Sequence, residues 1–224
     1  MSTLVIFDID GTLVDSTRAH HASLSASLAE FGLDPHRKPW AEYRHYTDSG
    51  VLDELLQDTL QHAASPEQLQ RLDRLSAAAY GAISAAEPVC EVPGASALLR
   101  AVQAQPDMHI AFATGSMRGA ALLKLAGLDV RPDTLVTGSE FLSRRDIVLA
   151  TLAGSNAERL VILGDGRWDL ITARELGIPF VAVQTGLYVF GDGPVCIIDD
   201  LAELTADALR AFAQPCPQLQ KWRT

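Results

Sequence analysis

A short apolar run, Leu4-Val5-Ile6-Phe7, leads directly into Asp8-Ile9-Asp10-Gly11-Thr12-Leu13-Val14-Asp15-Ser16, and no other stretch limits the fold of this chain as tightly. The apolar run reads as a first strand, and it sets two carboxylates at the strand's end, where an open α/β sheet keeps its chemistry. Residues i and i+2 share a face of a regular strand, so Asp8 and Asp10 are expected to point the same way, with Gly11 and Thr12 letting the backbone turn away. Two unpaired carboxylates side by side repel each other, and the pair calls for a cation or a shared proton. A hard divalent ion such as Mg²⁺ meets that need.

The pattern after this stretch falls into two parts. Residues 16–88 read as helical throughout. Ala19, Ser23, Leu24, Ser27, Leu28 and Phe31 recur at helical spacing until Gly32 stops them. A second helical stretch is expected from Trp40 to His62, interrupted near Asp48-Ser49-Gly50, and a third from Ser65-Pro66-Glu67 to Ala86, with Ser65 as its cap. From Gly94 onward helix and strand alternate. Strands are expected at His109 to Ala113, Thr134 to Thr137, Leu160 to Leu163, Phe180 to Val183 and Cys196 to Ile198, with helices between them and a last helix from Leu201 to Ala213 before a polar tail. That alternation is the order of a doubly wound parallel sheet. The fold class is therefore α/β: a Rossmann-like core from residues 1–15 and 89–224, with residues 16–88 as an all-helical insertion.

Composition narrows the function. The chain has 224 residues and is 48% hydrophobic, ample for a buried core. Neither a membrane span nor a signal peptide is expected, since no apolar stretch approaches ~20 residues. The formal net charge is −10, and Lys38, Lys124 and Lys221 are the lysines, which opposes nucleic-acid binding. Cys90, Cys196 and Cys216 are widely spaced and form no Cys-x-x-Cys, so neither a zinc site nor a disulfide framework is indicated, and a reducing cytoplasm is expected.

The run Asp8-x-Asp10-Gly11-Thr12-Leu13-x-Asp15-Ser16 resembles the first signature of the haloacid dehalogenase-like (HAD) superfamily, in the form carried by its phosphatases. The resemblance implies that Asp8 is a nucleophile forming an aspartyl-phosphate and that Asp10 is general acid and base. It also implies that Asp8 and the backbone carbonyl of Asp10 bind Mg²⁺. Thr114-Gly115-Ser116, just past a continuous apolar strand, matches the second signature and implies phosphate binding by Thr114 and Gly115. The third requires a cation ahead of a helix; Arg144 fits that spacing, with Arg145 as the alternative. Gly164-Asp165-Gly166-Arg167-Trp168-Asp169 resembles the fourth, so Asp165 would complete the Mg²⁺ site and Asp169 would bind a metal water or hold the phosphate-binding cation.

Five histidines fall in the insertion and read mostly as surface residues apart from His20, which lies at the hinge, where sugar-phosphate phosphatases and phosphohexomutases of the family often carry a histidine, so that a substrate contact is expected of it. The insertion itself would be a cap that closes over the site and excludes water. Asp10 favours a phosphatase over a dehalogenase, because a phosphoryl transfer needs an acid to protonate the leaving alcohol. The expected substrate is a small phosphorylated metabolite. A phosphosugar mutase shares these motifs and stands as the alternative. A phosphometabolite-binding protein on an inactive scaffold is opposed by the intact Asp8, Asp10 and Asp165.

Overall fold

The computed structural model describes residues 1–128, 130, 134–191 and 196–215. Its sheet contains β1 (Thr3–Phe7), β2 (Met108–Ala113), β3 (Leu135–Val136), β4 (Arg159–Gly164), β5 (Phe180–Val183), β6 (Cys196–Ile198) and the short β7 (Gln214–Pro215). The order is β3-β2-β1-β4-β5-β6, all parallel, with β7 pairing antiparallel to β4. The first strand is thus central, and its apolar run is explained by burial on both faces. Val5 and Phe7 enter a core layer with Leu98 and Leu99 of α4 (Ala95–Gln103), Leu125 of α5 (Arg118–Ala126) and Leu209 of α8 (Ala206–Phe212). Leu4 and Ile6 enter the opposite layer with Ile147 of α6 (Arg144–Ala153) and Leu170 of α7 (Arg167–Leu176). This is a doubly wound sheet with helices on both faces.

Register decides what meets at the sheet's carboxyl edge. Phe7 is level with Phe112 on one side and Leu163 on the other. The residues that follow each strand, Asp8, Thr114 and Asp165, therefore emerge side by side. Between β1 and β2 the chain forms α1 (Thr17–Ala29), α2 (Asp48–Leu60) and α3 (Pro66–Ala86). These helices share a third apolar cluster, in which Leu24, Leu28, Leu52, Leu56 and Leu72 are joined by Met117 from the loop before α5.

Some element bounds differ from those the sequence suggests. The expected interruption at Asp48-Ser49-Gly50 is the first turn of α2, because Thr47 caps it, its Oγ1 accepting the Gly50 N–H at 3.0 Å. The preceding residues form only a single 3₁₀ turn, Trp40–Glu42. The last helix is likewise split: Thr205 caps α8 with its Oγ1 on the Ala208 N–H, and Leu201–Glu203 is a separate turn. Gln214–Pro215, expected in a polar tail, adds to the sheet instead. Cys216 and Lys221 lie outside the described residues. Among the described residues no helix is long and apolar enough to cross a membrane.

Candidate active site

The first strand ends at Phe7, and Asp8 follows with its N–H on the Leu163 carbonyl at 3.0 Å, fixing it at the sheet's edge. Arg144 heads α6, where Ser143 caps the helix, and its Nη1 lies 2.7 Å from Asp8 Oδ1 and 2.7 Å from Asp169 Oδ1. Its Nε donates to the Tyr46 carbonyl at 3.2 Å, tying the inserted segment to the core. Arg145 is half exposed and stands 3.8 Å from its neighbour Asp146, so Arg144 is the arginine that reaches the site. Asp169, in the first turn of α7, accepts the Gly166 N–H at 3.1 Å through its second oxygen. Asp165 Oδ1 accepts the Thr12 hydroxyl at 2.9 Å. Gly11 adopts φ +77°, and a Cβ there would lie 2.3 Å from Asp165 Oδ2, so the turn after the first strand requires glycine on two counts.

Asp8, Asp165 and Asp169 are all buried and bring one oxygen each within 4.8 Å of one another. Burial, with added repulsion from Asp169 and Asp10, pushes the Asp8 carboxyl up to about 7 despite the opposing Arg144. Burial raises Asp165 and Asp169 as well. Three acids around one guanidinium leave negative charge uncompensated, and a cation at their centre would relieve it. The donors are all oxygens, which suits a hard divalent ion.

Asp10 takes a different path from the one strand geometry suggests. Because the strand stops at Phe7, the i, i+2 rule does not carry to Asp10, and its side chain joins neither Asp8 nor the carboxylate cluster. It accepts hydrogen bonds from Ser16 Oγ at 2.5 Å and Ser116 Oγ at 2.6 Å, and it lies 2.6 Å from Lys124 Nζ. The carboxylates that lie together are those of Asp8, Asp165 and Asp169, and the metal-binding expectation for Asp10 concerns its backbone carbonyl rather than this side chain. Burial would raise the Asp10 carboxyl, but the Lys124 ammonium overcomes it and holds the group well below the usual carboxylate range.

Lys124, which the sequence did not single out, is the cation beside Asp10. Its side chain is wholly buried, on the face of α5 shared with Ala120, Ala121 and Leu125. A lysine three and four residues from buried alanines on an amphipathic helix was the available signal.

His20, near the start of α1, stands at the junction. Its Nδ1 is 3.1 Å from Lys124 Nζ and its Nε2 is 3.2 Å from Asp48 Oδ1. Asp48 in turn accepts the Met117 N–H at 2.9 Å and donates its own N–H to the Gly115 carbonyl at 2.9 Å. Thr114 is buried, and its Oγ1 accepts the Ser116 N–H at 3.1 Å, as a turn-forming hydroxyl does. Gly115 and Ser116, rather than Thr114, line a cavity of about 310 Å³ shared with Asp8, His20, Arg144 and Asp165.

The sequence profile of the haloacid dehalogenase-like hydrolases matches residues 5–183. The chain belongs to that family. Curated relatives to which it is similar include phosphatases: it is 30% identical over 189 residues to a phosphoglycolate phosphatase of Cereibacter sphaeroides, covering 81% of this chain and 85% of the relative. It is 29% identical to the phosphoglycolate phosphatase of Rhodospirillum rubrum, over 96% of this chain and 93% of that one. Among solved structures, a hydrolase from Pseudomonas syringae aligns with a TM-score of 0.72 at 24% identity, over 95% of this chain and all of the other, and it shares the fold.

Proposed function

We propose that this HAD-like phosphatase is a Mg²⁺-dependent phosphomonoester hydrolase that acts on a small phosphorylated metabolite through an aspartyl-phosphate on Asp8. The observation that carries this reading is the separation of two nearby aspartates into opposite environments. Asp8 sits against Arg144 within a cluster of acids, and Asp10 is ion-paired to Lys124. Two carboxyl groups pushed apart in this way can divide nucleophile from acid and base.

Arg144 would offset charge on the phosphoryl oxygens while keeping Asp8 in line, and Asp169 would hold Arg144 in place. Gly115, on the cavity wall, would offer its backbone N–H as a neutral donor beside them, with Thr114 holding the turn through the Ser116 N–H. Mg²⁺ held by Asp8, Asp165 and Asp169, with the Asp10 carbonyl, would supply Lewis-acid stabilisation of the transferring group. Asp10, ionised by Lys124, stands ready to accept a proton from water in the hydrolytic half. To protonate the leaving alcohol Asp10 must first leave Lys124 and take up a proton, and Ser116, Lys124 and His20 form a hydrogen-bonded path along which one can reach it. Residues 16–88 act as a cap over the core formed by 1–15 and 89–224, with His20 on its hinge; the cap's closure excludes water. The relatives' names make phosphoglycolate the first ester to assay.

The test is phosphate release from a panel of phosphomonoesters with Mg²⁺, with chelator, and with Mg²⁺ restored. Activity that disappears and returns supports the reading. Full activity in chelator refutes the metal's role, and no release from any ester refutes the phosphatase.

A further inference from the structure

The cavity beyond the phosphoryl site has a chemistry of its own. His21 and Trp40 stack with ring centroids 4.5 Å apart and planes 12° off parallel, and Tyr46 Oη lies 2.7 Å from His21 Nε2. Burial, reinforced by neighbouring His20, lowers His21 to about 4, so this wall is uncharged near neutrality. Trp168, in the first turn of α7, and Leu187 and Tyr188, in the loop after β5, line the same cavity from the core side. Leu187 is 75% exposed, apolar surface that nothing in the described chain covers.

Charge points the same way. Five aspartates line the cavity against two arginines. Arg144 is already held by Asp8 and Asp169, Lys124 behind the wall is taken by Asp10, and Arg167 is exposed, its guanidinium 6.0 Å from the Trp168 ring centroid. A divalent cation and a phosphoryl dianion cancel, so a carboxylate on the leaving group would add to a surplus of acid. Size sets the last limit. A dry cavity of about 150 Å³ holds one benzene, so about 310 Å³ accommodates a phosphoryl group and a single ring.

We propose that the preferred substrate is a phosphomonoester of an uncharged alcohol bearing one flat apolar ring, held by the His21–Trp40 pair and Trp168; this rests on the phosphatase reading above. The inference separates the chain from its phosphoglycolate-cleaving relatives in the leaving group while keeping the phosphoryl chemistry in common.

The experiment compares benzyl phosphate, 2-phosphoglycolate and glycerol 2-phosphate, all alkyl esters, so that leaving-group reactivity does not dominate. With full-length protein and Mg²⁺, kcat/KM for benzyl phosphate should exceed that for phosphoglycolate by about tenfold, the value of one well-placed aromatic contact. Trp40→Ala, in the insertion, and Trp168→Ala, in the core, should each cut the benzyl ester more than phosphoglycolate; two variants guard against one failing to fold. In parallel, calorimetric titration of Asp8→Asn protein should show benzyl phosphate binding tighter than phosphoglycolate. Phosphoglycolate matching or exceeding the benzyl ester in either assay, or equal losses on both esters in the variants, overturns the proposal. If wild-type protein cleaves no ester, the phosphatase reading fails, and the titration still decides the ring.

Discussion

Replacing Lys124 with methionine keeps the volume of the side chain and removes its charge, leaving Asp10 buried without its cation. Breaking a buried pair by deleting one partner costs about 3–5 kcal/mol. Ser16 and Ser116 would still donate to Asp10, so the lower end applies, about 3 kcal/mol. For a chain of 224 residues each kcal/mol moves Tm by about 2–4 °C, giving a fall of about 6–12 °C. Thermal melting by circular dichroism at pH 7 reads this directly. The companion variant Lys124→Met/Asp10→Asn removes both charges and should recover at least half of the loss, because a neutral pair leaves no stranded ion. A single variant that melts within 2 °C of wild type, or a double variant less stable than the single, refutes the claim that the buried lysine exists to hold Asp10 ionised.

Other expectations follow from the same geometry. In metal-free protein burial pushes the Asp8 carboxyl up to about 7 from an ordinary 3.8, so the folded state binds more protons than the unfolded state between those values. Asp8 therefore contributes a fall in stability as pH rises from 5 to 7, opposed below about 6.5 by His21, which is lowered to about 4. Because Mg²⁺ competes with the proton on Asp8 and not with that on His21, the gain in Tm from saturating Mg²⁺ should grow with pH over this range, and a gain independent of pH contradicts the assignment. Arg144→Lys keeps the charge but loses the planar guanidinium that holds the Tyr46 carbonyl through Nε while Nη1 bridges Asp8 and Asp169, and should lower kcat about tenfold or more in steady-state assays, with an unchanged kcat counting against it. His20→Ala, which removes the contacts to Asp48 and Lys124, should reduce kcat/KM for the best ester more than for a small aryl phosphate. Equal losses on both would place His20 in the shared phosphoryl chemistry.

Much of the fold was legible because the strands are buried on both faces and read as continuous apolar runs: Leu4 to Phe7 and Leu160 to Leu163 could hardly be anything else. Strand ends then placed Asp8 and Asp165 together, and helix starts placed Arg144 and Asp169. The errors came where a single side chain overrode a pattern. Thr47 and Thr205 each start a helix that periodicity alone places elsewhere. Asp10 and Lys124 are 114 residues apart, and no local spacing announces a pair that only the packing of α5 beside the turn after the first strand creates. The aromatic wall was invisible for the same reason, since His21 and Trp40 meet across a loop and Trp168 comes from the core.

The central claim is that Asp8 carries the phosphoryl group, and trapping it is the most direct test. An activated aryl phosphate needs no proton to leave, so Asp10→Asn protein should still be phosphorylated, while loss of the base slows the water step and lets the intermediate accumulate. Incubating this variant with Mg²⁺ and a ³²P-labelled aryl phosphate, then quenching in acid, should leave protein-bound label that hydroxylamine releases, as an acyl phosphate does. The Asp8→Asn/Asp10→Asn double variant should carry none. Label retained by the double variant, or absent from Asp10→Asn while wild type turns over the same ester, would contradict the account.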